Sequence, residues 1–266
     1  GYLTARLRHH GMIDLSNARI LISNDDGIDA PGIKLLERLA REFSDDVWVI
    51  APSTEQSGAG HSLTLRRPLR IHKRDERHYA VDGTPTDCIL LGLQQVMRDT
   101  PPDIILSGIN RGGNLGEDVT YSGTVAAAME ATLLNVPAIA FSQYFSGDMI
   151  NWTIAEKYLY DVTKTLVKTT WPKGVLINVN FPEHEADGGA RVRISKQGQR
   201  KIGDHIAERH DPRGEPYYWI GAILSELPED PNADLRVIEQ GDISVTPISL
   251  DFTHYETHEK LTKAFP

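Results

Sequence analysis

Short apolar segments that alternate with segments of helical spacing constrain the fold more than any other feature of this chain. Residues 20–23, 47–51, 104–106 and 138–141 are mostly continuous apolar runs, and each is followed by a polar turn or loop. Strands of this kind belong to parallel sheets that are covered on both faces. With right-handed crossovers, the sequence predicts an α/β fold with a Rossmann-like, doubly wound and mostly parallel sheet.

The segments between the apolar runs predict the helices and loops. Apolar spacing and length favour helices at 33–43, 87–97, 124–134 and 154–168. Residues 53–62 and 107–120 contain many small, polar and glycine residues, and both are predicted to be loops. Further short strands are expected at 69–71, 79–81, 175–179, 191–195 and 243–247.

The character of the chain changes after residue 182, where short strand-like pieces and Gly- or Pro-containing stretches replace the alternation. This pattern predicts a C-terminal β-hairpin and arm extension. We therefore expect one domain over residues 18–266, with a Rossmann-like core at 18–182 and hairpins with an oligomerisation arm at 183–266. Residues 1–17 are interpreted as an extension or a cloning remnant.

Charge and composition exclude several classes of protein. The formal net charge is −9, which disfavours general binding to nucleic-acid backbone, and no stretch of residues is long and apolar enough to span a membrane. An anionic ligand would therefore be held by local groups such as a metal ion or a helix N-terminus. The single cysteine, Cys88, is compatible with a reducing compartment, and the residues before Asp14 lack a signal-peptide core, so a cytoplasmic location is expected.

Polar residues follow three of the predicted strands, where ligands of open α/β sheets bind. Asp25 and Asp26 directly follow the first strand, and residues 53–62 follow the second. Adjacent carboxylates repel each other unless a cation lies near them, and Mg²⁺ prefers such oxygen ligands. The pair alone also fits a helix cap beside a solvated turn residue.

The third polar segment, Ser-Gly-Ile-Asn-Arg-Gly-Gly-Asn at 107–114, follows the strand at 104–106. Its glycines allow backbone amides to approach an anion, although an ordinary flexible loop has the same composition. Ser122, Gly123 and Thr124 then begin a predicted helix, where a hydroxyl is expected as an N-cap and the free N–H groups suit a phosphate.

Taken in order, these motifs resemble the SurE (stationary-phase survival protein) family of nucleotidases. The resemblance covers nearly the whole chain after Ala18, and the matching segments are 24–27, 51–62, 83–88, 107–114, 121–124, 178–180, 211–219 and 244–247. It implies a Rossmann-like core, a swapped C-terminal arm, and homodimers or homotetramers. It also implies a phosphomonoesterase that hydrolyses nucleoside 5′-monophosphates, with 3′-nucleotides and short polyphosphate as further substrates.

The resemblance also assigns site residues and a cofactor. The metal ligands would be Asp25, Asp26, Ser57 and Asn110, with one Mg²⁺ or Mn²⁺ per subunit, and the phosphate would be held by Asn114, Ser122, Gly123 and Thr124. The expected mechanism is hydrolysis by a water held on the cation, with Asp25 or Asp26 as the catalytic proton acceptor. The expected partners are the nucleotide and further copies of the chain, with no membrane and no sequence-specific nucleic acid.

Three other functions were compared with this one. Phosphatases with an aspartyl nucleophile carry Asp-x-Asp after the first strand, whereas Asp25 and Asp26 are adjacent. Receiver-like signalling domains need an aspartate at the end of a middle strand, where this chain has Ser107, and they are much shorter. A nucleotide sensor that binds without hydrolysis is not distinguished from an enzyme by the sequence.

Overall fold

The computed structural model describes residues 11–265 and shows a nine-stranded sheet together with a separate two-stranded hairpin. The strands are β1 (Ile20–Ser23), β2 (Val47–Pro52), β3 (Ile71–Lys73), β4 (His78–Val81), β5 (Ile104–Arg111), β6 (Ala138–Gln143), β7 (Val175–Phe181), β8 (Val192–Ile194), β9 (Lys201–His210), β10 (Pro216–Ser225) and β11 (Ile243–Ser249). In the large sheet they follow the order β3-β4-β2-β1-β5-β6-β7-β11-β8. The predicted α/β class with a mostly parallel sheet is confirmed.

The central six strands of the large sheet, from β4 to β7, are parallel to their neighbours. β3 is antiparallel to β4 at one edge, and β11 is antiparallel to β7 near the other. From β1 the sheet is extended first on the side of β2 and β4, and then on the side of β5, β6 and β7. The carboxyl end of β1 lies beside β5, with Ser23 opposite Ser107. This is the position where open α/β sheets bind their ligands.

Helices cover both faces of the large sheet. They are α1 (Pro31–Ala40), α2 (Pro85–Leu91), α3 (Gly123–Leu133), α4 (Thr153–Leu166), α5 (Asp234–Glu239) and α6 (Tyr255–Ala264). Residues of α1 and α4 belong to one buried apolar cluster, and residues of α2 and α3 belong to a second on the opposite face. Local sequence starts two of them: Thr84 and Asp87 form a capping box for α2, and Ser122 caps α3.

One predicted loop is partly regular structure. The prediction of a loop over residues 107–120 is wrong for its first half, because β5 continues to Arg111, and residues 116–120 form a short 3₁₀ helix. The sequence left two interpretations of these glycines, access of backbone amides to an anion and an ordinary flexible loop, whereas Gly108 has a packing role. A Cβ at this position would lie 2.4 Å from the carbonyl oxygen of Phe141 on β6, so only glycine allows the two backbones to approach.

The C-terminal part contains the predicted hairpin and additional elements. β9 and β10 pair with each other in an antiparallel hairpin, whereas β8 and β11 extend the large sheet. The helices α5 and α6 were not predicted; α5 has six residues, too few for a periodic pattern, and α6 buries none of its residues. The division between a core at 18–182 and an arm at 183–266 stays a prediction.

The N-terminal residues fall partly outside the description. Residues 1–10 of the predicted extension lie outside the described residues, whereas Leu15 is buried and Ile13 packs against the same apolar cluster. Among residues 11–265, no helix combines the length and the apolar character needed to cross a membrane.

Candidate active site

Three of the predicted site residues meet where β1 and β5 end. Asp25 lies in the turn after β1, Asn110 lies near the end of β5, and Thr124 lies in the first turn of α3. The Thr124 hydroxyl is 2.9 Å from Asp25 Oδ1 and 3.3 Å from Asn110 Oδ1. A hydroxyl has one hydrogen and can donate to only one of these oxygens at a time. The Asp25 and Asn110 oxygens therefore share one hydroxyl donor, and one of the two is left without it at any time.

The N-terminus of α3 packs directly on Asp25, and Asp25 is only 5% exposed. The backbone N–H groups of Gly123 and Thr124 lie near its carboxylate and favour its charged form. A Cβ on Gly123 would lie 2.7 Å from the Asp25 Cβ, so this contact requires glycine. Burial raises the pKa of Asp25, and the hydrogen bond from the Thr124 hydroxyl and the two amides oppose that shift.

Asp26 is partly exposed and lies beside Asp25 in the chain. Its Oδ2 accepts a hydrogen bond of 2.9 Å from the backbone N–H of Arg111. Burial, followed by the negative charge of Asp25, raises the pKa of Asp26 to about 6. The two carboxylates therefore repel each other, and a cation bound beside them would relieve that repulsion.

Asn110 has a defined orientation because both ends of its amide are engaged. Its Nδ2 donates to the carbonyl oxygen of Gly112 at 2.8 Å, which leaves Oδ1 directed towards Thr124 and the Asp25 carboxylate. Gly112 is in turn held by a hydrogen bond from its N–H to the Gln143 carbonyl on β6. The oxygen predicted to bind a metal ion is thus the one presented to the site.

Ser57 lies near the site, but its hydroxyl contacts a different residue. The preceding Gln56 donates its backbone N–H to the Asp25 carbonyl at 2.7 Å, which holds this loop against β1. The Ser57 hydroxyl itself is exposed and donates to Glu55 at 2.7 Å. The negative charge of Glu55 contributes to the raised pKa of Asp26. Because the Ser57 hydroxyl acts only as the donor in this bond, the lone pairs of its oxygen stay available to a cation.

Asn114 is buried and belongs to a network of amide groups that we call the amide clamp (Asn114, Ser142, Asn178 and Asn180). Its backbone N–H donates to Asn180 Oδ1 at 2.8 Å, and its carbonyl accepts from Asn180 and Asn178 at 3.1 and 2.9 Å. Its side-chain amide donates to Ser142 at 2.7 Å. The clamp fixes residues 110–114 to β6 and β7, and it commits one of the two Asn114 amide hydrogens that were predicted for phosphate.

Ser122, predicted for phosphate binding, has the capping role that its position suggests. Its hydroxyl accepts from the N–H of Val125 at 3.0 Å. Because the amides of Gly123 and Thr124 lie near the Asp25 carboxylate, the positive end of α3 and the two acidic residues form one continuous site. Arg111, the basic residue nearest to it in sequence, places its guanidinium 4.8 Å from the Phe145 ring centroid.

The donor set fits a hard divalent cation. Carboxylate and amide oxygens are the ligands that Mg²⁺ and related ions prefer. Within residues 11–265, no group of three or more His, Cys, Asp and Glu side chains is placed to hold a metal ion, which disfavours a zinc-type centre in that part of the chain. A site here must combine Asp25 and Asp26 with neutral oxygens such as that of Asn110.

Sequence reasoning missed the supporting residues. Ser142, Gln143, Asn178 and Asn180 lie at the ends of β6 and β7, and none of them was assigned a role, although residues 178–180 are among the segments that match the family. Buried amides in a strand that is otherwise apolar require partners, so their presence was an available signal of a structured polar network. Glu55 was missed because nothing in its sequence context separates it from an exposed loop residue.

Comparison with known proteins supports one family. The profile of the family described as "Survival protein SurE" matches residues 20–204. A protein named 5′-nucleotidase SurE from Paramagnetospirillum magneticum is 57% identical over 95% of this chain and 97% of its own length. One with the same name from Rhodospirillum rubrum is 52% identical over 96% of this chain and 98% of its own length.

A solved structure agrees with these sequence matches. The crystal structure of the SurE protein from Aquifex aeolicus superposes with a TM-score of 0.81 at 37% identity, covering 93% of this chain and 99% of that one. The profile, the relatives and the shared fold all point to the same conclusion, and the chain belongs to the SurE family.

Proposed function

We propose that this chain is a divalent-metal-dependent phosphomonoesterase that hydrolyses nucleoside 5′-monophosphates to nucleoside and phosphate. The observation that carries the proposal is the meeting of Asp25, Asp26 and the Asn110 oxygen at the start of α3. The names of the relatives support the choice of a 5′-nucleotide. We extend the proposal to 3′-nucleotides and short polyphosphate, and the cytoplasmic location stays a prediction.

Asp25, Asp26 and Asn110 would hold one Mg²⁺ or Mn²⁺, with the Ser57 hydroxyl oxygen as a fourth ligand. When bound, the cation supplies positive charge to the phosphate oxygens and lowers the pKa of water. The raised pKa values of Asp25 and Asp26 support this assignment, because a nearby positive charge would relieve both the burial and the repulsion that raise them.

The chain's own groups would orient the substrate and move a proton. The start of α3 at Ser122, Gly123 and Thr124 favours a negatively charged phosphate near Asp25. Asp26 is the more accessible carboxylate, so we assign it the role of accepting the proton from the attacking water. Asn114 would donate the amide hydrogen that the amide clamp leaves free to a phosphate oxygen, while its backbone holds the loop that carries Asn110.

The test is release of inorganic phosphate from a panel of 5′- and 3′-nucleotides, with Mg²⁺, Mn²⁺ or EDTA. We expect hydrolysis of 5′-monophosphates with either cation and loss of activity in EDTA. Asp29→Asn is a matched control, because Asp29 is an exposed carboxylate nearby in the chain that pairs with Arg74. Equal rates with EDTA and with metal would contradict the proposal.

A further inference from the structure

A cavity lies near the carboxyl ends of β6 and β7, beyond the loop that carries Asn110. Its volume is about 360 Å³, within the size range of small-ligand sites. We call it the rim cavity; the lining residues used here are Leu115, Tyr144, His184, Arg200, Leu227 and Leu235. Tyr144 follows β6 and His184 lies three residues after β7, so the cavity opens at the carboxyl ends of parallel strands.

Two glycines, Gly112 and Gly113, lie in the segment between the candidate active site and the rim cavity. Arg111, which separates them from Asn110, has its guanidinium 4.8 Å from the Phe145 ring centroid. A Cβ on Gly112 would come within 4 Å of only the Asn110 amide, so the space above it is open. A Cβ on Gly113 would lie 3.0 Å from the Tyr144 ring, so that ring packs against the loop. A ribose could therefore pass over Gly112 from the candidate active site to the rim cavity.

The walls of the rim cavity suit a flat heteroaromatic ring. Leu115, Leu235 and the Tyr144 ring form an apolar cluster, and Leu227 adds an apolar side chain that is 46% exposed. Arg200 brings hydrogen-bond donors, and its buried Nε has no partner among residues 11–265. The rest of the lining is mainly polar and includes three glutamates, whose carboxylates can accept hydrogen bonds from the amino groups of a base. Small-ligand sites combine apolar walls with polar groups in this way, and aromatic side chains stack well on nucleobases.

We propose that the rim cavity binds the base of the nucleotide while its phosphate lies at the candidate active site. This inference rests on the proposed function, since it assigns a place to one part of that substrate. It gives Tyr144 and Leu227 a role in specificity: they contact the base, which takes no part in the reaction, and they favour nucleotides over phosphate esters that lack a base.

The experiment compares KM for AMP with KM for ribose 5-phosphate, which has the same ribose and phosphate but no base. Leu227→Asp places a charge in the apolar wall at an exposed position, and Tyr144→Leu removes the ring but keeps an apolar side chain. Leu133→Asp is the matched control. Leu133 is 55% exposed and is the last residue of α3, at the end of the helix away from the candidate active site.

We expect Leu227→Asp and Tyr144→Leu to raise KM for AMP by about 10-fold, as expected for a lost base–wall contact, and to leave KM for ribose 5-phosphate within about twofold. Leu133→Asp should change neither value. The inference is overturned if both cavity variants leave KM for AMP unchanged, or raise both KM values equally. Failure of the wild-type protein to release phosphate from AMP would instead overturn the proposed function, so the two failures are distinguishable.

Discussion

Side chains are covered differently in two regions of the molecule. One region is the carboxyl end of the parallel strands, where Asp25 lies, and the other is the C-terminal segment that ends in α6. Asp25 is buried, and the turn at Asp25 and Asp26 accepts hydrogen bonds from three other parts of the same chain: Gln56, Arg111 and Thr124. In α6 no residue is buried, and Phe252, just before it, is 82% exposed. The first region is complete within one chain, whereas the second presents apolar surface without cover from its own chain.

The hairpin of β9 and β10 resembles the C-terminal segment in this respect. Tyr218, Trp219 and Ile220 on β10 are 59%, 65% and 78% exposed. Contiguous exposed apolar residues of this size are typical of protein–protein contacts. We therefore propose that the two elements bind further copies of the chain, in a homodimer or homotetramer, while the chemistry belongs to the edge of the sheet.

A cluster of charges connects the two regions. The Arg200 guanidinium pairs with Asp118, and Glu117 accepts the backbone N–H groups of Arg200 and Lys201 at the start of β9. Glu117 and Asp118 belong to the short 3₁₀ helix that leads to Ser122 and α3. The hairpin is thus fixed at its base to the segment that leads to the N-terminus of α3.

The largest expected effect is loss of turnover without loss of assembly. We expect Asp25→Asn and Asp26→Asn each to lower kcat by about 100-fold or more, because each removes a charged ligand from the proposed cation site. The oligomeric mass measured by light scattering should stay unchanged in both variants. If either variant retains wild-type kcat, or changes its mass, the separation of the two regions is incorrect.

A smaller effect is expected from the amide clamp. Asn180→Ala removes two hydrogen bonds to the Asn114 backbone, so residues 110–114 should lose their fixed position and Asn110 its orientation. We expect Mn²⁺ affinity to fall by about 10-fold, with a smaller change in kcat at saturating Mn²⁺, since lost hydrogen bonds of this kind contribute about 1 kcal/mol each at most sites. Thr163→Val is the control, because it removes a buried hydroxyl bond within α4.

Equal Mn²⁺ affinities in wild-type protein and Asn180→Ala would show that the clamp supports the fold and not the site. A loss of affinity in Thr163→Val as large as that in Asn180→Ala would lead to the same conclusion, because it would trace the effect to general destabilisation.

Removal of the C-terminal segment should change the oligomeric mass and leave turnover nearly unchanged, the reverse of the effect expected for the Asp25 and Asp26 variants. β11 pairs with β7 as far as Ser249, so a deletion must begin after it to leave the large sheet intact. Deleting residues 251–266 should lower the oligomeric mass in light scattering, while kcat per chain stays within about threefold of wild type, because this segment holds partners and takes no part in the reaction. A truncated protein with unchanged mass would remove the basis for the arm.

The smallest expected effect is the pH dependence of stability in metal-free protein. The pKa of Asp26 is about 6 in the folded chain, above its ordinary value of 3.8, so between these values the folded state binds more protons than the unfolded state. The free energy of unfolding contributed by Asp26 therefore falls as pH rises from about 4 to about 6. Tm should decrease over this range, and less so in Asp26→Asn. Identical Tm profiles for the two proteins would contradict the shift.

Much of the fold could be predicted from the sequence because its signals are local. The parallel strands are short apolar runs, and the starts of α2 and α3 carry capping residues within one helical turn. The end of β5 could not be predicted, because its last residues, Asn110 and Arg111, are polar and are in the strand only through pairing with Ser142 and Gln143 on β6. α6 buries no residue, so it lacks the packing that makes helix prediction dependable.

The candidate site was predictable to a similar extent. The positions of Asp25, Asp26 and Asn110 follow from the rule that strand ends in a parallel sheet share one edge. The hydrogen bonds that hold them do not follow, because Asn178 and Asn180 contact Asn114 across more than 60 residues of sequence. The orientation of the Ser57 hydroxyl towards Glu55 is equally a result of packing that no local pattern records.

The central claim is that a cation site is complete within one chain at the ends of β1 and β5. Calorimetric titration of the metal-free protein with Mn²⁺ tests it most directly, with the double variant Asp25→Asn, Asp26→Asn and the control Asp29→Asn alongside. We predict one Mn²⁺ per chain in the wild-type protein and in Asp29→Asn, and no measurable binding at that site in the double variant. Unchanged stoichiometry and affinity in the double variant would contradict the account.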